Sequence, residues 1–276
     1  MNTITNEIPY KIDHIKEQEA YHFKIENVYD PSKFWVVLHI KERNAYENYL
    51  TQFYSVQKMS MAQYHLKKYS TCIVCRASKY YRAIILPSIL PDMKKLRVFL
   101  IDYGQTVNVG IDDVYYIFKK HCSVPRFTIR ACLAYISPKN QKEPWNSTDL
   151  LKFLELLSDR EIYGTVEEID KEQKILFLDL FGVKNNIQLS INSLMVQTGI
   201  GSYSKLVQNP NHKISKYKRM VKYMNLIPTF NALEKGIVPC SLWEKNLLKE
   251  IPLDLLYKQY YKYQDAKSHI LDILKK

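Results

Sequence analysis

Residues 80–109 constrain the fold more than any other part of the chain. Two short runs rich in β-branched and aromatic residues, Tyr-Tyr-Arg-Ala-Ile-Ile-Leu and Leu-Arg-Val-Phe-Leu-Ile, flank a break at residues 87–95 that is rich in turn-formers and charges. This pattern predicts two neighbouring antiparallel strands. Gly104 marks a second tight turn, into a further strand over residues 106–109. A hairpin meander of this kind cannot bury its apolar face alone, so the flanking segments must supply the rest of a core.

Those segments carry their own signals. Residues 21–28 alternate apolar and polar side chains and read as a strand. Asp30-Pro31-Ser32 reads as a turn, and the continuous apolar run over 34–40 as a buried strand. Tyr46, Tyr49, Leu50, Phe53 and Tyr54 share one helical face, with Asn44 as the expected cap and Glu47 three residues later. Residues 69–76 and 114–118 read as two further strands. Beyond Pro125, residues 129–136 read as one strand ending at Pro138. A helix with Leu150, Leu151, Phe153, Leu154 and Leu157 on its apolar side follows, then a hairpin of 163–169 with 175–180 across 170–174. Residues 187–189 read as a short strand and 191–197 as a closing helix. Residues 1–20 are polar, and a frayed start or short helix is expected.

Tyr81-Arg82-Ala83 followed by Ile101-Asp102-Tyr103-Gly104, on neighbouring strands, resembles the signature of the Tudor family. The strand–turn–strand–helix unit ahead of it, with Asp30-Pro31 and Phe34-Trp35-Val36, is similar to the extended Tudor arrangement. The resemblance spans roughly residues 21–199. It implies a mainly β fold with helices (α+β): a Tudor β-barrel, about residues 69–118, inserted in an OB- or staphylococcal-nuclease-like half. The implied division is an N-terminal segment (1–20), the extended Tudor domain (21–200) and a basic helical extension (201–276). The segment from Pro228-Thr229-Phe230 to Pro239 also resembles the connector of the Yb-type Tudor helicases of insects, but no helicase motif is present.

In well-formed family members, four aromatic rings and an asparagine form a cage around the dimethylguanidinium of an arginine. Ring faces attract the cation, and methylation keeps its charge while removing donors. The resemblance implies a peptide- or methylarginine-binding site at the matching positions. Tyr81 and Tyr103 keep two rings, and Gln105 stands for the asparagine with a longer arm. Leu100 replaces the aromatic two residues before Asp102. The ring of the first barrel strand falls at Cys75 or Arg76, neither aromatic, depending on the alignment. Losing two walls weakens the cation–π attraction, so recognition is expected to depend little or not at all on methylation. Arg82 and Asp102, on adjacent strands, form a candidate structural pair.

By the same resemblance, the chain is a non-catalytic scaffold that binds arginine-containing segments of PIWI-class proteins or other Tudor-pathway factors. That places it in the cytoplasm, in perinuclear germ granules of the small-RNA silencing pathway. The alternative is a single-stranded RNA-binding OB-like module. The formal net charge is +12, and residues 201–276 hold 14 Lys and Arg against 6 Asp and Glu. Such a segment can meet RNA, although a solvated helix face is the commoner use of lysines. Asn209-Pro210-Asn211 reads as a linker, and the apolar stripes beyond it, from Trp243 to Leu255 and from Leu256 to Leu274, as helices that pack on the domain, with docking in a partner groove as the alternative use.

Other classes find little support. No run of about 18 apolar residues suggests a membrane span, and no secretory signal is expected. Five cysteines, an odd number, fit a reducing compartment. Cys72 and Cys75 point to opposite faces of a strand and lack a second pair at zinc spacing. Glu167, Glu168 and Asp170 sit at an expected hairpin turn. No metal, cofactor or catalytic constellation is expected.

Overall fold

The computed structural model describes residues 8–87, 95–140, 144–203 and 228–237. Two β-structures share one interface. The first is discontinuous in sequence. It contains β1 (Ala20–Asp30), β2 (Lys33–Val37), β8 (Thr128–Leu133), β10 (Glu161–Asp170), β11 (Ile175–Lys184) and β12 (Ile187–Ser190), in the order β10-β1-β2-β8-β11-β12. β10 also pairs with β11, which closes five of the strands into a barrel with β12 at its rim. All pairings are antiparallel except β8 with β11, so β8 cannot lead directly into β11 by a hairpin.

The second structure is inserted between β2 and β8. It is a five-stranded antiparallel meander of β3 (Thr71–Arg76), β4 (Lys79–Ile85), β5 (Lys95–Leu100), β6 (Gln105–Gly110) and β7 (Val114–Tyr115), ordered β6-β5-β4-β3-β7. The strands curl so that Cys72, Val74, Ala83, Ile85, Val98, Leu100, Val107 and Val109 fill one interior. The alternation of small, β-branched side chains along these strands builds a narrow barrel. A two-residue break, Ala134-Tyr135, divides the expected 129–136 strand into β8 and β9 (Ile136–Pro138). Tyr135 has a left-handed φ of 61°, incompatible with a continued strand. β9 pairs instead with β13 (Gly201–Tyr203).

Helix α1 (Ile40–Val56) joins the two structures. It begins ahead of the expected cap: His39 is the N-cap and Asn44 lies within the helix. The apolar pattern marks only the turns that touch the barrel, whereas the first turn is polar. Leu50 and Tyr54 pack against Ile73, Tyr80 and Tyr115 on the outside of the inserted barrel. A short turn of helix, α2 (Lys119–Cys122), leads back towards β8. α3 (Ser147–Leu157) starts at Asn146 in a reciprocal capping box with Asp149 and lays Phe153 into the first core, against Phe34. α4 (Ile191–Gln197) closes that half, and the buried amide of Asn192 bonds the Leu180 amide and the Ala134 carbonyl.

β2 explains how two cores meet. All five of its residues are buried. Phe34 and Val36 enter the first core, while Trp35 points to a separate cluster with Phe99, Phe177, Phe230 and Leu233. A strand apolar on both faces is the sequence mark of an element sandwiched between layers.

Flanking segments clasp this arrangement. Residues 8–19 form no helix; Ile8, Ile12 and Ile15 are buried, and Tyr10 bridges to Arg126. α5 (Phe230–Glu234) inserts Phe230 edge-on to Trp35. Its Glu234 is buried, and both its oxygens accept hydrogen bonds. Tyr10 Oη donates at 2.5 Å, Trp35 Nε1 at 3.1 Å and Arg130 Nε at 2.8 Å to one oxygen; Arg130 Nη2 (2.7 Å) and Arg126 Nη1 (3.2 Å) donate to the other. Burial opposes the charge of Glu234, but the two guanidiniums overcome this and hold its pKa down, at about 2. The expected 209–211 linker and the two apolar stripes beyond Trp243 lie outside the described residues.

Candidate functional site

The turn after β5 is the centre of the candidate site, and a buried ion pair fixes it. Arg82 on β4 meets Asp102 in a two-pronged pair, with Nε to Oδ2 at 2.8 Å and Nη2 to Oδ1 at 2.6 Å. Its remaining donors reach the carbonyls of His121 (2.9 Å), Val124 (2.5 Å) and Pro125 (2.9 Å). All five guanidinium N–H groups are therefore used. Burial lowers the guanidinium's tendency to hold its proton, but Asp102 reverses this and the net shift is upward. Asp102 Oδ1 also accepts the Phe127 amide at 3.1 Å. The pair thus ties the barrel to the strand that returns to the other half.

The turn is also seated on that other half. Gly104 adopts φ +62°, and a Cβ there would lie 2.3 Å from Trp35 Cγ. Only glycine fits both the conformation and the space. Asn27 Nδ2 donates to the Gly104 carbonyl at 2.6 Å, and Thr128 Oγ1 to the Ile101 carbonyl at 2.6 Å.

On this support Tyr81 and Tyr103 come together, their ring centroids 5.4 Å apart and their planes at 78°. This edge-to-face geometry is favourable for aromatic pairs. Both rings are half-buried. Burial, and then the nearby Glu47 carboxylate, push the Tyr81 hydroxyl pKa upward. Gln105 is exposed at the start of β6, paired in register with Leu100, whose side chain is buried in the barrel interior. Val74 stands opposite Tyr81 and faces the interior, so strand alternation puts Arg76 on the Tyr81 side and Cys75 on the other. Cys75 packs towards the α1 cluster, and Arg76 is exposed and close enough to Tyr81 to oppose the rise of its pKa. The structure therefore brings Tyr81 and Tyr103 into contact, with Gln105 and Arg76 at the rim, Leu100 beneath and Cys75 turned away.

Three charged residues at the site were not legible as such. Arg43 places its Cζ 4.3 Å from the Tyr103 ring centroid. Glu26 Oε1 lies 3.0 Å from Arg43 Nη1. Glu47 accepts a hydrogen bond from the Tyr103 hydroxyl and pairs with Lys79 at 2.6 Å. Arg43 and Glu47 are four apart on α1 and so share a face. That spacing was the available signal, obscured by reading Glu47 as part of a cap. Among the described residues, no group of three or more His, Cys, Asp or Glu side chains is arranged to hold a metal ion.

Residues 15–135 match the family model described as Tudor domain. Extended Tudor domain TD3 of mouse TDRD1, solved with a MILI peptide containing dimethylarginine, superposes with a TM-score of 0.59 at 17% identity, over 72% of this chain and 99% of that one. This chain has the extended Tudor fold, with its Tudor family match over residues 15–135. The Drosophila melanogaster Papi extended Tudor domain gives a TM-score of 0.57 at 20% identity, over 67% of this chain and 100% of that one. Human RING finger protein 17 is 31% identical over 127 residues, 45% of this chain and 8% of that protein. Mouse Tudor domain-containing protein 6 is 23% identical over 208 residues, 74% of this chain and 9% of that protein. The chain thus spans less than a tenth of the length of these two relatives.

Proposed function

We propose that this extended Tudor domain is a non-catalytic interaction module that binds an arginine-containing peptide segment at Tyr81, Tyr103 and Gln105. The observation that carries the reading is the Tyr81–Tyr103 pair, braced from below by Arg82–Asp102 and open at Gln105. Of two edge-to-face rings, one presents its negative π face to a guanidinium, whereas a ring edge is positive and adds no such attraction. Similar domains have been solved with a dimethylarginine-containing MILI peptide and with an unmethylated Piwi N-terminal peptide, which supports a PIWI-class or related partner. Leu100 and Arg76 supply no rings, so little or no dependence on methylation is expected. The cytoplasm and germ granules near the nucleus follow as the place of action.

We read residues 21–200 as the extended Tudor unit, with 1–20 and 201–276 as flanking segments that clasp it through Tyr10 and Glu234. The closed half is read as OB-like. Its five strands close in the order first, second, third, fifth, fourth, with third and fifth parallel, which supports this reading.

The test is a titration of the purified chain with Arg-Gly-rich peptides, unmodified and symmetrically dimethylated, against wild type and Tyr103→Ala. Similar binding of both peptides, weakened about tenfold in the variant, is the expected result. A strong methylated preference would refute methylation independence. Binding of neither peptide, together with steeply salt-sensitive binding of single-stranded RNA, would replace this reading with the RNA-binding one.

A further inference from the structure

The aromatic pair already has a cationic neighbour from its own chain. Arg43 is 4% exposed and sits with its guanidinium carbon 4.3 Å from the Tyr103 centroid. That is the stacking distance an incoming guanidinium would adopt. We propose that Arg43 is a resident occupant of the Tyr103 ring, that an arginine ligand must displace it, and that it sets the affinity of the site. This deepens the peptide-binding reading and rests on it for the identity of the displacing ligand.

The way Arg43 is held fits an occupant rather than a structural post. Its Nε donates to Asn44 Oδ1 at 3.1 Å, a neighbouring exposed side chain. Its Nη1 lies within ion-pair distance of Glu26 Oε1, but neither atom makes a directional hydrogen bond. A buried donor left without a hydrogen bond is costly, so this docked position is shallow. Arg82, by contrast, uses every donor it has. Glu26 also pairs with Lys24 at 2.8 Å, so it keeps a counter-charge when Arg43 leaves. Glu26 lines an open groove of about 680 Å³ between β1 and α3, with Phe23, Ile25, Leu154 and Leu157 on its walls. A displaced guanidinium can swing towards that groove and keep its carboxylate.

An internal competitor lowers apparent affinity by the fraction of time the ring is free. Removing it returns that factor. Arg43→Ala is therefore expected to bind an unmodified Arg-Gly peptide about tenfold or more tightly than wild type, with the gain abolished by adding Tyr103→Ala. Arg43→Met, which keeps the volume and removes the charge, serves if the alanine variant fails to fold. Each variant is also exposed to methylguanidinium chloride, with the Tyr103 ring followed by NMR in tyrosine-labelled protein. Ring shifts at lower methylguanidinium concentration in the variant than in wild type are expected. Unchanged or weaker peptide binding by a folded Arg43 variant, or Tyr103 shifts no easier to induce than in wild type, would overturn the proposal. If methylguanidinium reaches Tyr103 more readily in the variant but no peptide binds either protein, resident occupancy stands and the peptide reading falls.

Discussion

Arg82 and Arg43 are both buried guanidiniums beside the same turn, and they are held in opposite ways. Arg82 lies below it, with a carboxylate and three carbonyls taking all five of its donors. Arg43 lies against the ring above it, in an ion pair without a directional hydrogen bond. A saturated buried charge fixes geometry, because any movement leaves several groups unpaired at once. An unsaturated one costs little to move. The difference separates the part of the turn that must stay rigid from the part that can exchange partners.

The sharpest way to break the comparison is at Arg82. Arg82→Ala strands the Asp102 carboxylate and three carbonyls, and about 3–5 kcal/mol of stability should be lost. Urea denaturation measures this; a loss under 1 kcal/mol would mean that the pair is not the brace described above. Glu234→Gln tests the same logic away from the site. It leaves Arg126 and Arg130 without their shared counter-charge, and a loss of about 3 kcal/mol is expected in the same assay. Because the Glu234 pKa is lowered, to about 2 from 4.5, the stability it gives is fully present above 4.5 and disappears as pH falls towards 2. The wild type should lose stability through that window, and the variant should lose less.

Gly104→Ala comes next. The added Cβ meets Trp35 in a left-handed turn, and about 2–3 kcal/mol should be lost, with weaker peptide binding because the Tyr103 backbone moves. Thermal melts and titration together check it. The smallest stability change is expected at Arg43: Arg43→Met should cost roughly 1 kcal/mol or less, since Glu26 retains Lys24. A loss as large as that of Arg82→Ala would erase the distinction between the two arginines.

His121 adds a pH signature independent of the acids. It is buried beneath Tyr46, Tyr49 and Phe53, and burial, then Lys120 and Arg82, lower its pKa from 6.5 to about 4. The unfolded chain binds the extra proton in that interval, so stability should fall as pH drops from 6.5 towards 4. Replacing His121 with Phe should flatten that part of the stability profile.

The barrel was legible because its information is local. Alternation, a Pro-bounded break and Gly104 identify its middle strands within thirty or so residues, and consecutive strands are neighbours in the sheet. The 170–174 hairpin was legible for the same reason; Asp170 Oδ1 accepts the Glu172 and Gln173 amides and builds the turn. What escaped depends on long-range placement. The polar first turn of α1 gives no apolar period, so its start was set too late at Asn44. The break at Tyr135 requires a left-handed residue that its side chain does not advertise. Ile8, Ile12 and Ile15 keep a helical spacing yet residues 8–19 form no helix; only the finished surface near Arg126 gives them a place. At the candidate site, the tyrosines are read from a motif, but Arg43, Glu26 and Glu47 arrive from another helix and strand. The four-residue spacing of Arg43 and Glu47 gives them a common face, but nothing local says that this face meets Tyr103.

The most direct measurement is a chemical-shift map of the whole chain on addition of an unmodified Arg-Gly peptide. Shifts concentrated at Tyr81, Tyr103, Gln105 and the Arg43 side chain, with Arg82 unmoved, are the result this account predicts. Shifts confined to other surfaces, with Tyr103 and Arg43 silent at saturation, would contradict it.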